Sequence, residues 1–322
     1  MSGAILFQKT TGDRIQDKSV TFNISRYLVY MDRKELLKKV RQLELMSKKH
    51  VQELLTGGYH SVFKGKGIEF HDVKEYSFDD DIKDIDWNVS ARSEECYVKN
   101  YVEERELQLV VAVDISASQG FGSRSQVKRD LAVELAALLS FSAINNRDKV
   151  GLLLFSDRVE KYVPPKGGRN QVMRIVRDLV HQDGEALGTD VSVATNFLLK
   201  NIKKKGIIFM ISDFMDESEF RRPMSILGRK HDVVAIQISD PLEDKLPGIG
   251  FVRLWDSETG EERLVNFRQK SFREHYSRLK RQEEHNLKMV FRKGNVDYLH
   301  FHTHLSYINQ LTEFFRKRAR RY

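Results

Sequence analysis

Among its 322 residues the chain has a single cysteine, Cys96. An intrachain disulfide framework is excluded, and a lone thiol suits a reducing compartment. Long apolar runs are also missing. None approaches the roughly 20 residues that a membrane helix needs, so no membrane span is expected. No basic segment followed by an apolar stretch opens the chain, so no secretory signal is expected, and the expected localisation is cytoplasmic. Repeats and low-complexity linkers are absent.

What is present is a globular balance, 40% hydrophobic and 31% charged, with a formal charge of +8. The positive charge is uneven. Residues 33–50 are basic, and residues 315–322 carry five cationic side chains. Phosphate attraction could turn such stretches toward nucleic acid. No zinc-finger, helix-turn-helix or RNP-like signature accompanies them. They read as solvated helix faces and a frayed tail, and nucleic acid is not the expected partner.

Residues 1–30 show neither helical period nor caps and read as an extension or disordered arm, with Met31 as an alternative start. A helix is expected next: Asp32 and Glu35 have capping-box spacing, and Leu36, Leu37, Val40 and Leu43 share a face. Gly57, Gly58, Gly65 and Gly67 tempt a phosphate-loop assignment. That pattern fails, because Gly67 stands where Ser or Thr should follow Lys66. These are turn glycines.

From residue 107 onward strands and helices alternate. Strands are expected at 107–113, 150–155, 206–211, 233–238 and 296–301. Helices are expected at 126–144, 171–180, 191–202, 269–290 and 307–317. Residues 251–255 and 263–267 should form a hairpin insertion near 250–268. The fold class is therefore α/β: a doubly wound, mostly parallel, Rossmann-type sheet over 105–322. Ahead of it stand the arm (1–30) and an N-terminal helix and strand extension (31–104).

Asp114, Ser116 and Ser118 follow the first buried strand, and ligands of open α/β sheets bind at the carboxyl ends of strands. Thr189 precedes a helix and Asp213 ends the third strand of this region, which brings three loops to one edge. Two carboxylates balance a divalent charge, and neutral hydroxyls leave the ion short of electrons and open to an outside anion. Such hard oxygen ligands suit Mg²⁺, or Mn²⁺ or Ca²⁺. The alternative is that the serines cap the next helix and that Asp213 opens another.

The pattern Asp114-x-Ser116-x-Ser118, then Thr189, then Asp213 resembles the metal-ion-dependent adhesion site of von Willebrand factor A domains. That resemblance implies hydroxyls ligating directly, aspartates often acting through water, and a partner's carboxylate completing the sphere. A second resemblance lies upstream. It runs through Lys64-Gly65-Lys66-Gly67-Ile68-Glu69-Phe70, Val73-Lys74-Glu75-Tyr76, the stretch from Asp80-Asp81 through Asp84, Ile85, Asp86 and Trp87 to Ala91-Arg92, and Tyr97-Val98-Lys99. This is similar to the signature of the bacterial family catalogued as domain of unknown function 58, in which an A-type domain follows directly. Phe78 and Asp79 stand where that family usually places Gly. The resemblance implies a non-enzymatic adaptor or co-chaperone partnered by a MoxR-type AAA+ ATPase or by a client protein.

Enzymatic alternatives lack parts. A phosphohydrolase of the dehalogenase type needs a second carboxylate where Ser116 stands. Gly-x-Ser-x-Gly is absent around Ser116 and Ser118. Glu94 with Glu95, and Glu103 with Glu104, are neighbours that would point oppositely on a strand. His300, His302 and His304 alternate on the last strand and could face one way, but alternating residues of one strand seldom surround zinc alone. Trp87 and Trp255 are expected as packing anchors.

Overall fold

The computed structural model describes residues 5–7, 38, 40–41, 69–78, 80–93, 95–102, 107–123, 126–181, 188–216, 218–256 and 262–319. In chain order the strands are β1 (Ile5–Phe7), β2 (Glu69–Glu75), β3 (Tyr97–Val102), β4 (Gln108–Asp114), β5 (Lys149–Phe155), β6 (Val159–Lys166), β7 (Ile207–Ser212), β8 (Asp232–Ser239), β9 (Phe251–Asp256), β10 (Glu262–Asn266) and β11 (Val296–His302). The helices are α1 (Trp87–Ser90), α2 (Lys128–Asn145), α3 (Arg169–His181), α4 (Val191–Asn201), α5 (Arg221–Lys230), α6 (Pro241–Asp244), α7 (Lys270–Lys293) and α8 (Ile308–Ala319). The chain forms two compact units, residues 63–106 and the remainder.

The larger unit is built on a six-stranded sheet of order β11-β8-β7-β4-β5-β6. All neighbours are parallel except the β5–β6 pair at one edge. Strand alternation divides its side chains between two layers. Val110, Ala112, Leu153, Phe155, Ile208, Met210, Val233 and Ala235 form one buried cluster with residues of α4, α5 and α7. Their neighbours Val111, Leu154, Phe209 and Val234 are just as buried on the other face. There α2 packs on β4 and β5, and Phe315 of α8 meets Phe209 edge-on. Parallel strands covered on both faces need the continuous apolar runs seen in β4, β5 and β7. Truncating one such residue, as in Leu153→Ala, costs about 2–5 kcal/mol.

A second sheet, β1-β9-β10, is antiparallel. Its hairpin is the expected insertion, and Val252 and Phe267 bury against Phe121 and Leu246. Ile5–Phe7, inside the stretch read as an arm, pairs with β9. The remainder of residues 1–30 lies outside the described residues, as do the glycine-rich loops at 57–67. Of the helix expected after Met31, Lys38, Val40 and Arg41 are helical, and the rest is likewise outside them.

Several expectations need correction. The antiparallel edge strand β6 and the helix α5 were not anticipated. Pro164 and Pro165 hide the first, since proline marks edges, and polar residues dilute the second. Arg318 was read as part of a solvated tail, yet it is buried and bridges Asp232 and Asp297.

In the unit of residues 63–106, β2 and β3 form an antiparallel pair with a register shift at Phe70/Asp72. Asp86 caps α1 by accepting from the amides of Asn88 and Val89. Trp87 is 66% exposed, so it is not the anchor expected: the cap holds the first helical turn, and its first side chain points outward. Among the described residues no helix is long and apolar enough to cross a membrane.

Candidate metal centre

The chain leaves β4 at Asp114, crosses to β5 on one side, and returns through α4 to β7 on the other side. β4 and β7 are neighbours whose connections run opposite ways. Their carboxyl ends form the topological switch point where open α/β sheets bind ligands.

Asp114 ends β4 and is 1% exposed. Its Oδ1 accepts from the Ser116 amide (2.9 Å), and its Oδ2 from Ser212 Oγ (2.6 Å) and Gln119 Nε2 (3.4 Å). Ser116 Oγ and Ser118 Oγ lie 3.1 Å apart, and Ser118 Oγ donates to Asp213 Oδ2 at 2.8 Å. The Met215 amide donates to Asp213 Oδ1 (3.1 Å), and the Phe214 amide to Ser212 Oγ (3.0 Å). The turn behind Asp213 is tight enough to hold Phe214 at φ 53°, a strained setting for a bulky residue.

The capping alternative fails on geometry. Ser116 precedes a short 3-10 turn, Ala117–Gly120, yet its hydroxyl makes no cap bond, and Ser118 lies inside that turn. The first helix after Asp213 begins at Arg221.

Thr189 comes from the third loop. The next residue, Asp190, donates its amide to the Ser156 carbonyl just beyond β5, and its side chain caps α4. The Val191 amide donates to Asp216 Oδ2 at 2.7 Å. These bonds tie Thr189 to the same carboxyl edge, beside the β5 end and the loop after β7. Its Oγ1 is buried with no hydrogen-bond partner among the described residues. A buried hydroxyl left unpaired costs about 1–3 kcal/mol, which calls for an explanation.

Two charged residues join the centre that the motif did not include. Lys128 Nζ, fully buried in the first turn of α2, contacts Asp213 Oδ2 and Glu243 Oε1, each at 2.7 Å. Glu243 also closes a capping box with Asp240 at α6. Both had signals. Lys128 stands three and seven residues before Leu131 and Leu135, on the apolar stripe itself, and Asp240 with Glu243 has capping-box spacing.

The electrostatics drive the two aspartates apart. Burial raises the Asp114 carboxyl to about 7, and the nearby Asp213 charge adds to the rise, outweighing the hydrogen bonds from Ser212 and Ser116. Burial would raise Asp213 too, but the Lys128 ammonium dominates and holds it below the ordinary range. Lys128 itself stays above its usual value, since the attraction of Asp213 and Glu243 exceeds its desolvation. Burial raises Glu243, with Lys128 offsetting part of the shift.

A divalent cation fits this set on two counts. Thr189 Oγ1 is an unpaired buried oxygen, and no cationic side chain contacts the Asp114 carboxylate among the described residues. Ser116, Ser118, Thr189, Asp114 and Asp213 supply only hard oxygen atoms.

The family model described as "Protein of unknown function DUF58" matches residues 72–286. Uncharacterized proteins of Mycobacterium bovis and Mycobacterium tuberculosis are each 32% identical over 232 residues, 71% of this chain and 73% of theirs. Among solved structures, the conserved hypothetical protein BatB of Bacteroides thetaiotaomicron aligns over 66% of this chain and 99% of its own. The identity is 13% and the TM-score 0.44.

Proposed function

We propose, for a chain that belongs to the DUF58 family of proteins of unknown function, a non-enzymatic role as a metal-dependent protein-binding adaptor. In this reading its α/β unit is a von Willebrand factor A-like domain. Asp114, Ser116, Ser118, Thr189 and Asp213 act as a metal-ion-dependent adhesion site for Mg²⁺, or for Mn²⁺ or Ca²⁺. The hydroxyls would hold the ion, and the aspartates would hold it directly or through water. An ion so bound supplies an electron-poor position that accepts a carboxylate from another protein.

The observation that carries this reading is Thr189 Oγ1, buried with no hydrogen-bond partner among the described residues, in a loop whose next two residues bond the Ser156 carbonyl and Asp216. The preponderance of hydroxyls favours capture over chemistry. Ser116 stands where a hydrolase of the dehalogenase type would place its proton carrier. The resemblance stated above supplies the expected partner, a MoxR-type AAA+ ATPase acting in protein assembly or activation, and the lone cysteine supports the expected compartment, the cytoplasm.

The test is capture of a MoxR-type ATPase from the same bacterium on immobilised full-length protein with 5–10 mM Mg²⁺, on the order of concentrations that saturate weak sites. EDTA and Asp114→Ala should each release it. Capture that survives both overturns the reading.

A further inference from the structure

The geometry points to a second metal site, specific for zinc or a similar first-row divalent ion, formed by His300, His302 and Asp244. Two residues of one strand cannot enclose an ion, which counts against a site made of β11 histidines alone. The fold removes that objection by bringing a third ligand from a separate element. His300 and His302 alternate on β11 and point to the side that α7 covers, where Val296 and Tyr298 also pack. Asp244 ends α6, just after β8. One ligand atom from each of the three lies within 4.8 Å of the other two. His302 Nδ1 is 3.0 Å from Asp244 Oδ2. Neighbouring ligands on a tetrahedral zinc, with bonds of about 2.0–2.1 Å, stand about 3.4 Å apart, so small side-chain rotations suffice to enclose an ion.

Ser239 Oγ marks the focus of the cluster. It lies 2.8 Å from His300 Nε2, 3.0 Å from His302 Nδ1 and 3.2 Å from Asp244 Oδ2. The hydroxyl thus stands within hydrogen-bond distance of one atom from each of the three side chains. Behind His300, the Glu284 carboxylate lies 3.6 Å from Nδ1 and is itself held by Lys288 at 2.6 Å. A carboxylate behind a ring nitrogen is the orienting partner that metal-bound histidines use, and here it lies behind Nδ1 while Nε2 faces Ser239. Asp244 is 40% exposed and gives the ion a way in. His304 lies past the end of β11 in an exposed turn and is not a ligand. Nitrogen ligands separate this site from the all-oxygen centre at Asp114 in metal preference.

Titration of EDTA-stripped full-length protein with Co²⁺ tests it, with excess Mg²⁺ present throughout to occupy hard oxygen sites. The expected result is one equivalent bound with the intense visible absorption of tetrahedral cobalt, displaced by Zn²⁺. His300→Gln and His302→Gln should each weaken Co²⁺ binding by at least about tenfold, while Asp114→Ala leaves it unchanged. Absence of stoichiometric Co²⁺ or Zn²⁺ binding by the unmodified protein overturns the site without reference to any variant. Full retention of binding in folded His300→Gln, judged by circular dichroism, overturns it as well.

Discussion

Ser118 Oγ donates to Asp213 Oδ2 across 2.8 Å, joining two loops 95 residues apart in the chain. That bond makes the serine motif and the distant aspartate one structure, and in the proposed reading its oxygens are already in place for a metal. Millimolar Mg²⁺ should therefore raise the thermal midpoint of EDTA-stripped protein, by an amount equivalent to about 2.7 kcal/mol at one hundred times Kd. Asp114→Ala should abolish the rise. A scanning-fluorimetry midpoint indifferent to EDTA and to Mg²⁺ would count against the centre.

Thr189→Val separates a ligand from a packing residue. Oγ1 makes no hydrogen bond among the described residues, so the midpoint measured in EDTA should hold or rise slightly. Affinity for Mg²⁺, measured by calorimetry, should fall at least about tenfold. An unaltered Mg²⁺ isotherm would remove Thr189 from the ligand set.

Asp114 fixes the sign of a pH effect. Its folded value, about 7, lies above the ordinary carboxylate value of about 4. A raised carboxylate contributes stability at low pH that is lost as pH climbs through the folded value. Metal-free protein should accordingly lose stability between about pH 4 and 7. Glu243 acts in the same direction, while Asp213, held low, contributes stability that is lost only on acidification below the ordinary range. Asp114→Asn should flatten the fall in urea midpoints measured in EDTA. In wild-type protein the Mg²⁺-induced gain should grow over the same interval, because proton and metal compete for one carboxylate.

Lys128→Met keeps most of the side-chain volume and removes the charge. Asp213 and Glu243 would then be buried without their cation, and breaking such a pair costs about 3–5 kcal/mol. Urea denaturation at pH 7 should show that loss. An unshifted midpoint would mean that the two carboxylates recruit water instead.

Gly228→Ala tests the packing that supports β11. A Cβ there would stand 2.2 Å from the Gly294 carbonyl oxygen and 2.8 Å from Val296 Cγ2. Alanine normally favours a helix by about 1 kcal/mol, yet this overpacking should cost about 1–3 kcal/mol. A more stable Gly228→Ala protein would mean that α5 and α7 slide apart freely.

The sheet was legible because its strands are short, apolar and regularly spaced. β4, β5, β7, β8 and β11 fall where the runs of branched residues lie, and the order of motifs was enough to bring Asp114, Thr189 and Asp213 to one edge. β6 was obscured by its prolines, and α5 by the polar residues that cover most of its surface. Lys128 and Glu243 were missed for a different reason. A charged residue on an apolar stripe carries meaning only once its counter-charges are known, and those lie 85 and 115 residues away. Asp244 shows the same limit, since nothing local to it points to the histidines of β11.

The ammonium of Lys128 also bears on supply. In the folded protein Asp213 already holds a resident cation, the Lys128 ammonium, so its carboxylate is neutralised without an ion. Uptake of metal would then be an event in the life of a completed protein and not a step in making one. A shortage would silence partner capture before it unfolded the protein. Renewed supply would restore capture on the timescale of diffusion, without new synthesis.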